Sequence, residues 1–434
     1  MQKPLKIIIF TLFSLISIQA HALNQQDLDK IEQKYLYFHR HPELSFHEVN
    51  TSKVLADELR NIGYQVTEKV GGYGVVAILK NGKGPTLMIR SDTDALPVKE
   101  QTSLPYASKV TTVDESGAEV PVMHACGHDI HMSVLLGTAM EMRQRKKEWN
   151  GTLMLIGQPA EERGGGAKAM IDDGLFTRFP RPDFNLALHD NANLPAGTVG
   201  YTSGYTLANV DSVDITVRGK GGHGAYPHTT KDPIVLASQL VLALQTIVSR
   251  EINPVEPAVL TVGSIHGGTK HNIISDEVKL QLTLRSYSLD VRSQTIAAIK
   301  RISKGLAITA GLPEDKWPIV TVREEEFTPS TFNDPKLTAT AVDYIQQAIG
   351  KENVHAIPAV MGGEDFGRFG NVTPKIPSFI FWLGAVDPTV YADAKKEGKS
   401  LPSLHSPFFA PLPKPTIATG ITSMSNIAIH LLQE

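Results

Sequence analysis

Four residues of this 434-residue chain have the types and spacing of a metal-assisted hydrolase. Cys126 and His128 lie two apart in Met123-His124-Ala125-Cys126-Gly127-His128-Asp129, and the acid pair Glu161-Glu162 follows about 35 residues later. In an extended loop, residues two apart point the same way, so a thiolate and an imidazole can face one site while Gly127 permits close approach. Adjacent acids at the end of a strand diverge, so one can bind a cation while the other holds a water. The pair follows Gln158-Pro159-Ala160 and precedes Gly164-Gly165-Gly166, which argues against an exposed helix face. Cys126 is the only cysteine and has no internal disulfide partner. A buried structural thiol, a reactive thiol and a metal ligand remain open, and the neighbouring histidine favours the ligand.

His189, in Leu186-Ala187-Leu188-His189-Asp190, ends an apolar run, and His405, in Leu404-His405-Ser406-Pro407, follows a polar stretch. On position alone each reads as a satisfied histidine rather than a ligand. The glycine triplet does not make a phosphate loop, because Lys168 is misplaced and no Ser or Thr follows it. No Gly-x-Ser-x-Gly elbow offers a serine nucleophile.

Short apolar runs alternate with amphipathic stretches, as in Thr86 to Ile89 (strand), Met132 to Arg145 (helix) and Thr152 to Ile156 (strand). This predicts an α/β layered fold. The middle predicts strand, helix, strand, strand, helix over Val210 to Arg218, Asp232 to Arg250, Val259 to Ile265, Glu277 to Tyr287 and Arg292 to Ala310. That order suits a small two-layer α/β unit, residues 205–317, inserted into a larger domain made of 23–204 and 318–434. The polar stretches 109–119 and 387–403 read as loops leading into Cys126 and His405, where loops often shape substrate access.

The first residues read as an export signal: Lys3 and Lys6, an apolar run from Ile7 to Ile18, then Ala20-His21-Ala22. The run is too short to span a bilayer, no later segment reads as long and apolar enough, and no cysteine stands at the cleavage point for a lipid. Removal of residues 1–22 would leave a periplasmic or secreted chain starting near Leu23, with no membrane anchor. A formal charge of -3 and 41% hydrophobic content suit a globular protein and give no sign of a nucleic-acid partner. The cluster Arg143, Arg145, Lys146 and Lys147 closes a predicted helix as a solvated face.

Taken together, several segments resemble successive motifs of one family. They are Arg90 to Pro97, Met123 to Asp129, Gly157 to Glu162, Gly221-Gly222-His223-Gly224-Ala225 and Gly362-Gly363-Glu364-Asp365-Phe366, framed by His39-Arg40-His41-Pro42-Glu43 and Leu404 to Pro407. The family is the amidohydrolase branch of the aminoacylase and carboxypeptidase metallopeptidases, which includes hippurate hydrolase and the plant hydrolases of auxin conjugates.

The resemblance implies a mixed-sheet catalytic domain holding two divalent metals and an inserted lid domain that joins a homodimer. It places Cys126, His128, Glu162, His189 and His405 on metal positions, with Cys126 bridging, and Glu161 on the catalytic base. His223, Asn272 and Arg285 fall on lid positions for the substrate, and His223 would reach the partner's site. Mixed Cys, His and Glu ligands suit zinc best, with manganese, cobalt or nickel as alternatives. The expected substrate is an N-acyl or aryl-acyl amino acid. A dipeptidase or carboxypeptidase with the same metals is the alternative, and a non-catalytic periplasmic peptide- or metal-binding protein is a third, disfavoured by Glu161. Ser91, Thr93, Ile130 and Ser275 depart from the family pattern without removing a ligand, and Asp190 beside His189 is placed to act on a metal from the second layer.

Overall fold

The computed structural model describes residues 23–433, so the expected export signal at 1–22 lies outside them. The apolar runs at Thr86–Asp92, Gly151–Gln158, Phe184–Pro195 and Ser378–Val386 form strands, the first two and the last buried almost end to end. Strands covered on both faces need such continuous apolar character. These four run parallel in the middle of an eight-stranded mixed sheet. Its order is Gln65–Val70, Gly74–Asn81, Gly151–Gln158, Thr86–Asp92, Phe184–Pro195, Ser378–Val386, Val199–Tyr201, Val354–Ala356. Val75 and Ala77 belong to one core with the helices Gln25–Arg40, Val49–Ile62, His128–Gln144 and Pro413–Leu431, whereas Val76 belongs to another with Met170, Phe366 and Phe369. The sheet is therefore sandwiched, and its parallel strands deliver their carboxyl ends to one edge.

The middle of the chain forms a second layer pair. Asp211–Arg218 alternates buried and half-buried residues, the pattern of a sheet with one covered face. It joins an antiparallel sheet in the order Ala258–Gly267, Glu277–Ser286, Asp211–Arg218, Ile319–Val322. The helices Pro233–Thr246 and Leu289–Thr309 pack on it through Leu236, Leu240, Leu244 and Ile299. The stretch 387–403, expected as a loop, contains the helix Pro388–Glu397, capped by the Asp387 side chain. Two further sequence-based expectations need correction. Ile319–Val322 pairs with Asp211–Arg218, so a limit at Trp317 cuts a strand from this sheet. That edge strand is four residues long and nowhere fully buried, too short to show a period. Second, Pro233–Glu251 does reach the length and mean hydropathy of a membrane span, 19 residues and 1.4. One face of that helix covers the sheet, while Ile234, Val235 and Leu242 are exposed.

A buried histidine fastens the elements that carry the candidate ligands. His39, at the end of Gln25–Arg40, sets Nδ1 2.7 Å from Asp129 and Nε2 3.1 Å from Glu100. Glu100 also accepts from Ser108 N–H at 2.6 Å, and Gln101 N–H donates to the Pro407 carbonyl at 2.8 Å, two residues past His405. Burial opposes a charge on His39, but Asp129 and Glu100 prevail and raise its pKa to about 9. A folded-state value above the ordinary 6.5 means that the contribution is complete below about pH 6.5 and lost as pH rises through about 9. His39→Gln is therefore expected to lower the urea midpoint at pH 6 and to flatten the fall in stability between pH 6.5 and 9. The wild-type change over that window is on the order of 3 kcal/mol. Parallel wild-type and variant curves would contradict this.

Candidate active site

The site lies where the parallel strands end. Asp92 closes one strand, and the chain continues to Asp94; Gln158 closes the next and leads into the turn bearing Glu161 and Glu162. Asp94 Oδ2 accepts from Glu162 N–H at 3.0 Å and from Ser45 Oγ at 2.7 Å, which ties the two strand ends together. Gly127, at φ +75, turns the chain into His128–Gln144. A side chain there is excluded, since an added Cβ would lie 1.9 Å from Asp190 Oδ2. His405 arrives from the far end of the chain, its N–H donating to the Ala125 carbonyl at 2.8 Å and its backbone at φ +66. A non-glycine residue in that region is uncommon and signals a conformation held by its surroundings.

Six of the nine sequence-predicted residues meet here. Ligand atoms of Cys126, His128 and His189 lie within 4.8 Å of one another, as do those of Cys126, Glu162 and His405, and those of His128, Glu161 and Glu162. Cys126 Sγ is 3.5 Å from His189 Nε2 and 3.2 Å from His405 Nε2, so one sulfur faces both groups. His128 Nδ1 donates to the Asp94 carbonyl and His189 Nδ1 to the Asp190 carbonyl, each at 2.8 Å. A carbonyl only accepts, so both Nδ1 atoms carry hydrogen and both Nε2 lone pairs are turned to the site.

The donor set fits divalent metal. His128 Nε2 and Glu162 Oε1 are buried, 3.8 Å apart and without hydrogen-bond partners among the described residues. Unpaired buried polar atoms are costly, and a cation between them removes the cost. Burial and the carboxylates of Glu162, Glu161, Asp190 and Asp92 push the Cys126 thiol up, so it becomes a thiolate only beside strong positive charge. Burial and the neighbouring Glu364 and Glu162 hold the Glu161 carboxyl well above the usual carboxylate range.

The other three predicted residues are on the second sheet unit. His223 and Asn272 are exposed and adjacent: Gly224 N–H donates to the Asn272 carbonyl at 2.9 Å, and Ala225 N–H donates to His223 Nδ1 at 3.0 Å. Neither joins the ligand cluster. Arg285 is half-buried, and its guanidinium has no ion pair or hydrogen bond among the described residues. An added Cβ on Gly363 would lie 3.1 Å from Arg285 Nη1, so the guanidinium abuts the loop that carries Glu364.

Apart from Asp190, sequence reasoning gave no role to the outer layer. Arg90, fully buried, holds Glu364 with two nitrogens at 2.8 and 3.2 Å, Asp92 at 2.7 Å and Gln158 at 2.8 Å. His131 lies 2.6 Å from Asp92 and 3.3 Å from Asp190, linking the carboxylates behind His128 and His189. The available signal was charge at the end of the apolar run Leu87-Met88-Ile89, where an arginine requires buried partners.

A two-domain α/β architecture with clustered Cys, His and Glu donors and an adjacent acid defines a metallohydrolase of the peptidase type. Residues 88–400 match the peptidase family M20/M25/M40, and the chain belongs to that family. Thermostable carboxypeptidase 1 of Saccharolobus solfataricus is 38% identical over 80% of this chain and 83% of its own. Hippurate hydrolase of Campylobacter jejuni is 37% identical over 80% and 85%, and N-acetylcysteine deacetylase of Bacillus subtilis 36% over 80% and 86%. Among solved structures, a putative aminohydrolase of methicillin-resistant Staphylococcus aureus superposes with a TM-score of 0.79 at 31% identity, covering 95% of this chain and all of that one. A dinuclear metal-binding M20 peptidase of Bacillus subtilis gives 0.75 at 28%, covering 94% and 99%. The protein is thus a hydrolase of this family, with the mixed sheet and separate antiparallel unit of its two-domain structures.

Proposed function

We propose that this protein hydrolyses the amide bond of N-acyl or aryl-acyl amino acids with two divalent metals, zinc foremost. The observation that carries the reading is the shared sulfur: Cys126 belongs to one donor group with His128 and His189 and to another with Glu162 and His405, with Glu161 beside them. Divalent cations supply Lewis acidity toward a carbonyl oxygen and a water. Glu161 takes the proton from the attacking water and returns it to the leaving nitrogen. His223 donates to the carbonyl oxygen as it gains negative charge. Arg285 takes the free carboxylate of the amino acid in a two-pronged salt bridge, with Asn272 nearby, which gives its unpaired half-buried guanidinium a partner. The carboxypeptidase reading draws support from the Saccharolobus relative. A hydrolysis screen of N-acyl amino acids against dipeptides decides between them: faster cleavage of acyl amino acids is expected, and faster cleavage of dipeptides would contradict the reading.

The reading includes export, on the strength of Lys3, Lys6, the apolar run and Ala20-His21-Ala22. It also includes a homodimer joined through the antiparallel unit, residues 205–317 with the strand to Val322. Exposed Ile234, Val235 and Leu242 on its helix support that face as the contact. His223, exposed and apart from the cluster in its own chain, would then serve the partner's site. Mixing inactive His223→Ala with inactive Glu161→Gln should restore partial activity under subunit exchange, because one site per heterodimer keeps both groups. No recovery after demonstrated exchange would place His223 in its own chain's site or outside catalysis.

A further inference from the structure

Phe46 has a bulky side chain in the left-handed region, at φ +63, and the residue is 39% exposed. Such a residue in that region is an outlier and persists only where its neighbours fix it. The neighbours here belong to the site. The turn Leu44–His47 is closed by His47 N–H donating to the Leu44 carbonyl at 2.9 Å, and Leu44 bridges to Ala95. On one side of Phe46, Ser45 Oγ donates to Asp94 Oδ2, the oxygen that also receives Glu162 N–H. On the other, buried Glu48 Oε1 accepts from Ala160 N–H at 2.8 Å. Ala160 is itself at φ +50, so two of the non-glycine residues with positive φ are fastened to each other's segments immediately before Glu161.

These clamps press the ring onto the turn that bears the acid pair. Gly164 and Gly165 N–H donate to the Glu161 and Ala160 carbonyls, and an added Cβ on Gly165 would lie 3.0 Å from Phe46 Cζ. The tip of the ring therefore meets glycine, while the residue as a whole stays exposed. An added Cβ on Gly164 would lie 2.5 Å from Thr328 Oγ1, and Thr328 pairs with Val210 where the chain passes into the second sheet. The ring thus lies against the turn that bears Glu161 and Glu162, a turn that also meets Thr328 at the entry to the second sheet unit. Arg285 meets the loop before Glu364 at Gly363, and Phe46 meets the acid-bearing turn at Gly165, so the two contacts fall on different segments around the site.

Resting on the amidohydrolase reading, we propose that Phe46 determines acyl-group specificity: its exposed ring is the wall against which an aromatic or bulky apolar acyl group packs. An aromatic contact of this kind adds to the area it buries and favours a benzoyl over an acetyl group. The test is kcat/KM for N-benzoyl and N-acetyl derivatives of the same amino acid, so that the carboxylate end stays constant. Phe46→Gly accepts the positive φ without strain and removes the ring; Phe46→Tyr keeps the ring. The Gly variant should lower the benzoyl-to-acetyl ratio about tenfold at unchanged metal content, and the Tyr variant should hold the wild-type ratio. An unchanged ratio in Phe46→Gly, or an equal loss in both variants, would overturn the proposal. If the wild type cleaves neither amide, the amidohydrolase reading fails by itself. Equilibrium binding of the N-benzoyl amino acid then decides: about tenfold weaker binding to Phe46→Gly supports the role of Phe46, and equal binding overturns it.

Discussion

Glu161→Gln is expected to bind its full complement of metal, fold normally and lose turnover by a factor on the order of 10² or more. The amide keeps the shape of the side chain but has no oxygen able to take and return a proton. Glu162→Gln should fail differently. Glu162 Oε1 stands 3.8 Å from His128 Nε2 and 3.4 Å from His405 Nε2, among the donor atoms themselves. Its loss should appear first as weaker metal binding and only consequently as lost activity. Metal analysis and single-turnover rates on both variants separate the roles. Near-normal rates in metal-replete Glu161→Gln would show that the two acids have been assigned the wrong way round.

The second large effect belongs to the sulfur. Cys126→Ser replaces the one atom that faces both donor groups with a hydroxyl, a far poorer anionic ligand at neutral pH. Metal affinity is expected to fall by more than about 10²-fold, beyond the range for outer-layer partners, and activity to fall with it. In the wild type, burial and four carboxylates keep the metal-free thiol protonated. Metal-loaded protein should therefore resist alkylation by virtue of coordination, and chelation should expose a thiol that reacts more readily at high pH. Equal labelling with and without chelator would remove Cys126 from the ligand set.

How much of this was legible in the sequence depends on how local each signal is. The parallel strands Thr86–Asp92 and Gly151–Gln158 announced themselves as apolar runs and Asp211–Arg218 as an alternating one, because those patterns follow directly from two-sided and one-sided burial, whereas Ser378–Val386 was not singled out. Nor was Ile319–Val322, an edge strand whose pairing depends on a partner about a hundred residues earlier. Cys126, His128 and the acid pair were legible from type and spacing. His189 and His405 were not, since neither histidine shows in sequence what lies across from it; only the family resemblance singled them out. The buried clamp of Arg90 on Glu364 joins positions 274 residues apart. Phe46 was invisible for a different reason, since its significance is a backbone angle and an exposed face, neither of which residue type reveals.

The central claim is that catalysis belongs to metal held by Cys126, His128, Glu162, His189 and His405. The most direct measurement is a titration of chelator-stripped protein with zinc, following bound metal per chain and hydrolysis of an N-acyl amino acid in the same samples. The account predicts no activity without metal, and activity that rises with occupancy to a plateau at two ions per chain. Full activity in the stripped protein, or a plateau at which Cys126 is still freely alkylated, would contradict it.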